Sequence, residues 1–433
     1  MIPRIGLVLF LLCKLAASGY AAEFRASAVK VDITPGSPQW LLGYDARQSD
    51  SIHDRLFHRI AALDDGKTTI YLVSTDLCLI SPAYYDKVAK DVEREVGIPP
   101  QNLWWTVTHT HSAPETGPPG VGAAFMLERY KQAAKGDSNP EYTQFVEAKL
   151  IEGLRLAREK LQPARLGFGL GFSTANINRR GKDVDGKVSL GLNPDGPVDR
   201  QIGLIRIENL NGGLIGLIAN YAIHGTVLGP PNHAISGDAP GVAAQYVEEK
   251  LGVPMLFING AEGDLAPIYS VYPDPVSGHL GEFRLLLGDH ILQANQRIVE
   301  MTSDVVLTGS VAAIETPLRA GLAWPPELGE YVRAAPGGVT LVRIPVRFLQ
   351  INREAVLWGA PLELFCQVAM DVRDRSRFPF TFYFGLLDGW LGYLPTGQAF
   401  RDGGYEPSTS PFTERAEEDL RQGVATHLAA MTR

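Results

Sequence analysis

The 433-residue chain reads as an α/β protein, a layered α/β/β domain with mixed β-sheets. Three observations predict this class. Strand-like and helix-like periodicities alternate through the first half, strand patterns dominate the second, and 45% of residues are hydrophobic, ample for a packed core. No repeat, heptad array or low-complexity linker divides the sequence. At roughly 100–200 residues per domain the length alone would allow two or three units. The unbroken pattern predicts instead one domain over residues 22–433. The 45 glycines and 30 prolines exceed ordinary usage and predict long, shaped loops, where enzymes place their chemistry. A net charge of −8 argues against nucleic acid as the main partner, because phosphate binding needs a basic surface.

Residues 1–21 read as an export signal rather than as fold. Arg4 supplies the positive start, residues 5–12 an apolar run, and Gly19 and Ala21 the small residues before a cleavage point. Lys14 interrupts that run short of the ~20 residues that span a membrane. Phe10-Leu11-Leu12 ahead of Cys13 lacks the small residues of a lipid-attachment site. The expected location is secreted or periplasmic. Residues 68–73 read as a buried strand, 82–96 as a helix, and 103–107 as a strand running into Thr108-His109-Thr110-His111-Ser112. Residues 117–137 form a Gly/Pro-rich insertion with room for a short helix. Asn139-Pro140 then starts a helix whose apolar positions Tyr142, Phe145, Val146, Leu150, Leu154, Ala157 and Leu161 keep the helical period. Gly167, Gly169 and Gly171 read as strand glycines, their spacing being wrong for a dinucleotide loop. Residues 204–207 and 214–222 flank Asn211-Gly212-Gly213, a hairpin signal. Strands at 254–258, 340–348 and 354–359 and a terminal helix at 413–431 complete the pattern. Cys78 and Cys366 could pair in an oxidising compartment, but the apolar surroundings of Cys78 read as those of a buried free thiol.

The chemistry concentrates at strand ends. His109-x-His111 follows a strand, where residues two apart face one side and two imidazoles can converge. Open α/β sheets bind ligands at the carboxyl ends of their strands, and imidazole is a preferred zinc ligand. Hydrogen-bonded loop histidines are the better explanation of a bare pair taken alone. His224 leaves the strand of residues 217–222 in the same way, and two such strand ends together favour a metal. Residues 259–264 add Glu262 and Asp264 in a tight turn, where carboxylates also serve as turn or capping residues. The sequence has no G-x-S-x-G nucleophile elbow, no H-E-x-x-H and no phosphate-binding G-x-x-x-x-G-K-[ST].

Taken in order, the motifs resemble the neutral/alkaline (non-lysosomal) ceramidase family. The matching stretches are Ile52-His53-Asp54, Thr108-His109-Thr110-His111-Ser112, Asn176-Ile177-Asn178-Arg179, residues 220–226, Ser236-Gly237-Asp238, Gly263-Asp264, Gly392-Tyr393 and Tyr405-Glu406. They run from about Val29 to the C-terminus. The resemblance implies a zinc amidase with His109, His224, Glu363 and Tyr393 as metal ligands; Glu363 keeps its place in Pro361-Leu362-Glu363-Leu364 with two neighbours changed. It implies that His111, Arg179 and Tyr405 line the polar head and the scissile amide as catalytic donors. Zinc lowers the pKa of a coordinated water toward ~7, and an oxyanion donor is worth ~3 kcal/mol. Asp238 and Asp264 are expected to orient the ligating histidines. Where family members carry a serine, this chain has Ala266, which excludes a serine acyl-enzyme there. Arg180-Gly181 and Ala113-Pro114 also depart from the pattern, and the chain stops at Arg433 without the family's immunoglobulin-like C-terminal domain.

The expected activity is zinc-hydroxide cleavage of the N-acyl bond of ceramide or a related lipid amide, at a membrane surface. No stable protein partner is expected. The alternatives are a zinc hydrolase of another ester or amide and a non-catalytic binding protein that kept the fold. Phe125, Met126 and Leu127 are candidate acyl contacts if the 117–137 insertion forms a pocket rim or lid. A surface excursion with an apolar anchor is the equal alternative.

Overall fold

The computed structural model describes residues 23–125, 139–271 and 277–431. The expected leader, together with Met126 and Leu127, lies outside the described residues. In chain order the strands that build the site are β1 (Arg25–Asp32), β2 (Phe57–Asp64), β3 (Thr69–Thr75), β4 (Leu103–Val107), β5 (Gln162–Phe172), β6 (Asn176–Lys182), β7 (Val188–Asn193), β8 (Gln201–Asn209), β9 (Leu214–Tyr221), β10 (Met255–Asn259), β11 (Leu265–Pro267), β12 (Leu307–Pro317), β13 (Thr340–Ile351), β14 (Ala355–Gly359), β15 (Glu363–Leu364), β16 (Phe380–Phe384) and β17 (Tyr393–Leu394). The long helices are α1 (Pro82–Val96), α2 (Pro140–Glu159), α3 (Asp238–Leu251), α4 (Cys366–Arg375) and α5 (Ala416–Met431).

Eight strands form the main sheet in the order β10-β9-β8-β5-β1-β2-β3-β4. Its central pairs are antiparallel, and the parallel pairs β3/β4 and β9/β10 close its two edges. A second mixed sheet, β12-β13-β14-β16, packs against it. Side-chain alternation explains why both faces of the main sheet are apolar. Ile60, Ala62, Tyr71 and Val73 point toward Val88 and Val92 of α1 and toward Val146, Leu150 and Leu154 of α2. Their neighbours Ala61, Leu63, Ile70 and Leu72 point the other way, onto Leu349, Ile351, Leu357, Phe382 and Phe384 of the second sheet. The expected α/β/β layering is present. A fourth layer covers the outer face of the second sheet, where Leu420 and Val424 of α5 pack on Ile344, Val346 and Phe348.

The strand glycines of β5 have a packing reason: a Cβ at Gly167, Gly169 or Gly171 would meet Ile298, Met301 or Ala294 within 3 Å. Two polar devices lie inside the layers. Arg59, fully buried, donates to Asp76 at 2.7 Å and Glu248 at 2.8 Å. His58 Nε2–H donates to the Val146 carbonyl at 3.0 Å, while its Nδ1 accepts from the Thr75 hydroxyl at 2.7 Å, which in turn accepts from Trp105 Nε1. Cys78 and Cys366 are both buried free thiols, as the apolar run around Cys78 predicts. Among the described residues no helix is long and apolar enough to cross a membrane.

Candidate metal centre

The carboxyl ends of β4 and β9 point to one place, and short backbone contacts lock the two loops together. His111 N–H donates to the Gly225 carbonyl at 2.8 Å, and Gly225 N–H to the His109 carbonyl at 3.1 Å. Only glycine fits there, since a Cβ on Gly225 would stand 2.6 Å from the Thr110 Cα. A separate two-stranded sheet, built from segments that follow β14 and β16, delivers the other half of the site. β15 and β17 pair in parallel with Glu363 opposite Tyr393, so a carboxylate and a phenol emerge side by side.

His109 and His111 do converge, with 3.3 Å between their Nε2 atoms, but strand alternation is not the cause. β4 ends at Val107, and His109 sits in the left-handed region at φ 64. That conformation is costly for a non-glycine residue. It turns the imidazole back toward Cys78, whose carbonyl accepts from Nδ1–H at 3.0 Å. His224 Nδ1–H likewise donates to the Leu265 carbonyl at 2.8 Å. In both rings the bond made by Nδ1 directs Nε2 inward. Those two nitrogens lie 3.3 Å and 3.1 Å from Glu363 Oε2, and the three donor atoms fall within 4.8 Å of one another. Glu363 Oε1 is fixed by Trp390 Nε1–H at 2.8 Å. Two imidazoles and a carboxylate, all buried and sharing one focus, are a donor set that suits zinc.

Electrostatics follow from burial and from this proximity. Burial alone would raise Glu363, but His109 and His224 outweigh it and hold the carboxylate well below its usual range. His224 is pushed down to about 3 by burial, then by Arg179 and His109. His111 is held well below the ordinary imidazole value by burial and by the two neighbouring histidines. Tyr393 and Tyr405 are pushed up by burial and by the Glu363 charge. Arg179 reaches in from β6: Nη1 lies 2.9 Å from His224 Nε2, and Nη2 donates to the Tyr393 hydroxyl at 3.1 Å. A narrow pocket leads to this cluster, walled by Leu42, Tyr44, Leu79, His111, Trp390 and Tyr405.

Residues 24–260 match the family model for the N-terminal region of neutral/alkaline non-lysosomal ceramidases. The chain belongs to that family. It is 28% identical to the neutral ceramidase of Pseudomonas aeruginosa over 289 residues, 61% of this chain and 41% of that one. Against neutral ceramidase A of Dictyostelium discoideum the identity is 30% over 235 residues, 51% of this chain and 31% of the relative. The chain thus spans less than half the length of these curated relatives. The crystal structure of the neutral ceramidase from Pseudomonas aeruginosa superposes with a TM-score of 0.74 at 19% identity, over 95% of this chain and 74% of that one. A ceramidase complexed with C2 also gives 0.74, at 20% identity. At these identities the structural likeness speaks for the ceramidase fold.

Within this ceramidase fold, His109, His224, Glu363 and Tyr393 gather at one focus, with Arg179 against them and His111 and Tyr405 on the pocket wall. Other expectations need correction. Asp238 and Asp264 touch neither histidine. Asp238 accepts three backbone N–H groups, from Val227, Leu228 and Ala239, and so pins the loop that follows His224. Asp264 accepts from Cys366 N–H at 2.8 Å and from Asn178 at 3.1 Å, tying down the chain just after Glu363. The imidazoles are oriented by backbone carbonyls instead, which side-chain identity cannot reveal. Phe125 is fully buried and does not line the pocket; its ring packs 5.4 Å from Trp390 and 5.3 Å from Trp324, an apolar anchor behind the wall. Trp390, Tyr44 and Glu406 were not singled out as site residues from sequence. Tyr44 stands 4.9 Å from the His111 ring, and Gly43 beside it, at φ 115, has no room for a Cβ. Glu262, one turn from β10, is buried with both oxygens unpartnered, and burial pushes its carboxyl well up.

Proposed function

We propose that this chain is a zinc-dependent amidohydrolase that cleaves the N-acyl bond of ceramide or a related lipid amide, releasing a sphingoid base and a fatty acid. The convergence of His109 Nε2, His224 Nε2 and Glu363 Oε2 in a chain of this family carries the reading. His109, His224 and Glu363, with Tyr393 beside them, would hold the zinc. When bound, zinc supplies Lewis acidity, which acidifies water and polarises a carbonyl.

The chain's own residues supply orientation and charge. Leu42 and Leu79 give the substrate apolar surface at the pocket mouth. Arg179 and Tyr405 present N–H and O–H donors near the ligand cluster, positioned to stabilise negative charge on an amide oxygen. His111 lines the pocket with its Nε2 turned toward the ligand cluster, 3.3 Å from His109 Nε2, and that atom can hold or pass a proton there. Tyr393 is held by Arg179, so its oxygen stays turned toward Glu363. Ala266, buried on β11, has no hydroxyl to offer as a nucleophile. In this reading residues 22–433 act as one catalytic unit, exported by its leader and working at a membrane surface.

The test is metal analysis of the purified chain together with mass-spectrometric detection of fatty acid released from ceramide. One zinc per chain and ceramide turnover are expected, both lost in His109→Ala. Unchanged metal content and hydrolysis in that variant would refute the assignment, and activity confined to water-soluble acyl compounds would refute the substrate.

A further inference from the structure

Glu406 has no role in the scheme above, yet its surroundings are unusual. It opens the short helix Tyr405–Thr409 and is 1% exposed. Its two oxygens are divided between two buried arginines: Oε1 accepts from Arg179 Nε at 2.9 Å and Oε2 from Arg180 Nη1 at 2.6 Å. Arg180 spends its remaining reach on the Gly403 carbonyl at 2.7 Å, away from the pocket. Arg179 instead extends to His224 and Tyr393. We propose, resting on the zinc-amidase reading, that Glu406 is a positioning residue: it fixes the Arg179 guanidinium at the pocket and balances its charge beside a bound metal cation.

Two arguments support this. The first is geometric. The His224 Nε2 lone pair that faces Arg179 is the one a metal would take, and it can serve one partner at a time. With that lone pair given to a metal, Arg179 retains Glu406 and Tyr393 as its polar anchors, and of these only Glu406 carries charge. The second is electrostatic. Arg179 and Arg180 bring two positive charges into a buried region, and Glu406 is the carboxylate that ion-pairs with both. Removing Glu406 leaves an excess positive charge next to the metal ligands, where low dielectric makes repulsion of a divalent cation strong. Glu406 also adjoins Tyr405, so one carboxylate couples the positions of two pocket donors.

The experiment uses the full chain with Glu406→Gln and Glu406→Asp, each made with and without Arg179→Ala. Zinc affinity is read by competition with a chromophoric chelator, and kcat and KM on a short-chain ceramide. Glu406→Gln is expected to weaken zinc binding about tenfold, and adding Arg179→Ala should restore most of that loss because the uncompensated charge is gone. On catalysis it should lower kcat by roughly 10–100-fold with little change in KM, and by about twofold or less in the Arg179→Ala background. Glu406→Asp keeps the charge but withdraws it by one methylene, so zinc affinity should hold while kcat falls. If Glu406→Gln does not fold, Glu406→Asp carries the test. Wild-type zinc affinity and kcat in the folded variants, or equal losses with and without Arg179, would overturn the proposal. A wild-type chain that binds no zinc refutes the underlying reading instead, and the zinc measurements need no substrate.

Discussion

Replacing Trp390 by phenylalanine tests whether the indole N–H holds the site's carboxylate in place. Glu363 is 2% exposed, and its Oε1 receives the Trp390 N–H at 2.8 Å while Oε2 faces both histidines. Phenylalanine keeps an aromatic ring against Phe125, now 5.4 Å away, and deletes only the donor and the outer ring. A hydrogen bond to a charged group contributes about 1.5–3 kcal/mol net. At ~1.4 kcal/mol per decade this is roughly 10–100-fold in an equilibrium that depends on the carboxylate's position. The range agrees with the ~10–100-fold loss of metal affinity that follows removal of a ligand's hydrogen-bond partner. The assay is zinc dissociation measured by chelator competition, with thermal unfolding in parallel. Stability should fall by well under the roughly 3–5 kcal/mol of a full aromatic truncation, because the ring contact survives. A variant that binds zinc as tightly as wild type would refute the claim that Trp390 orients Glu363.

Other consequences can be read from equally local features. Gly43→Ala places a Cβ 2.5 Å from the His111 ring at a φ of 115, so we expect about 2–4 kcal/mol of destabilisation and on the order of 10²-fold lower kcat/KM; normal melting and turnover together would contradict it. His58 is pushed down to about 4 by burial, against 6.5 when exposed, so the unfolded chain takes up this proton first as pH falls. Its contribution is therefore complete above pH 6.5 and is lost between there and about pH 4, at most ~3 kcal/mol, which urea titrations of wild type and His58→Gln across that window should show as a shallower slope for the variant. Arg59→Ala strands Asp76 as a buried carboxylate, while Glu248 keeps Lys30 at 2.8 Å, and should cost about 3–5 kcal/mol, whereas a change below ~1 kcal/mol in denaturant unfolding would mean the network is relaxed or hydrated. Stripping zinc with a chelator should lower the melting temperature reversibly, since a ligand bound only to the native state stabilises it by mass action; an unchanged melting curve would count against a native metal site.

Much of the frame was legible because periodicity records burial. Strands β3, β4, β8, β9, β10, β13 and β14 and helices α1, α2 and α5 follow from apolar spacing, and the hairpin between β8 and β9 from its Asn-Gly-Gly turn, whereas β1, β2, β12 and β16 were not read from the sequence. The two histidine positions could be read because each follows an apolar strand. What could not be read is how they meet. His109 turns through a left-handed backbone that no residue preference announces, and the orienting groups are carbonyls of Cys78 and Leu265, common to every residue type. Glu363 and Tyr393 were reached by family resemblance, since a two-residue strand pair leaves no periodic trace. Asp238 and Asp264 looked like histidine partners because they follow the right motifs. The Asp238 oxygens are consumed by backbone N–H groups and those of Asp264 by the Cys366 N–H and the Asn178 amide, a local demand that outranks a longer reach.

The parallel pairing of Glu363 with Tyr393 has a consequence for how the protein matures. His109 and His224 leave the main sheet, while Glu363 and Tyr393 arrive from segments joined much later in the chain, and Glu406 and Trp390 come from that same late stretch. A ribosome-bound or clipped fragment that has already built the whole main sheet still owns only half of the ligands. In the proposed reading such a fragment would lack Glu363 and Tyr393, so it would be unable to assemble the full donor set until the chain through β17 has joined the main sheet.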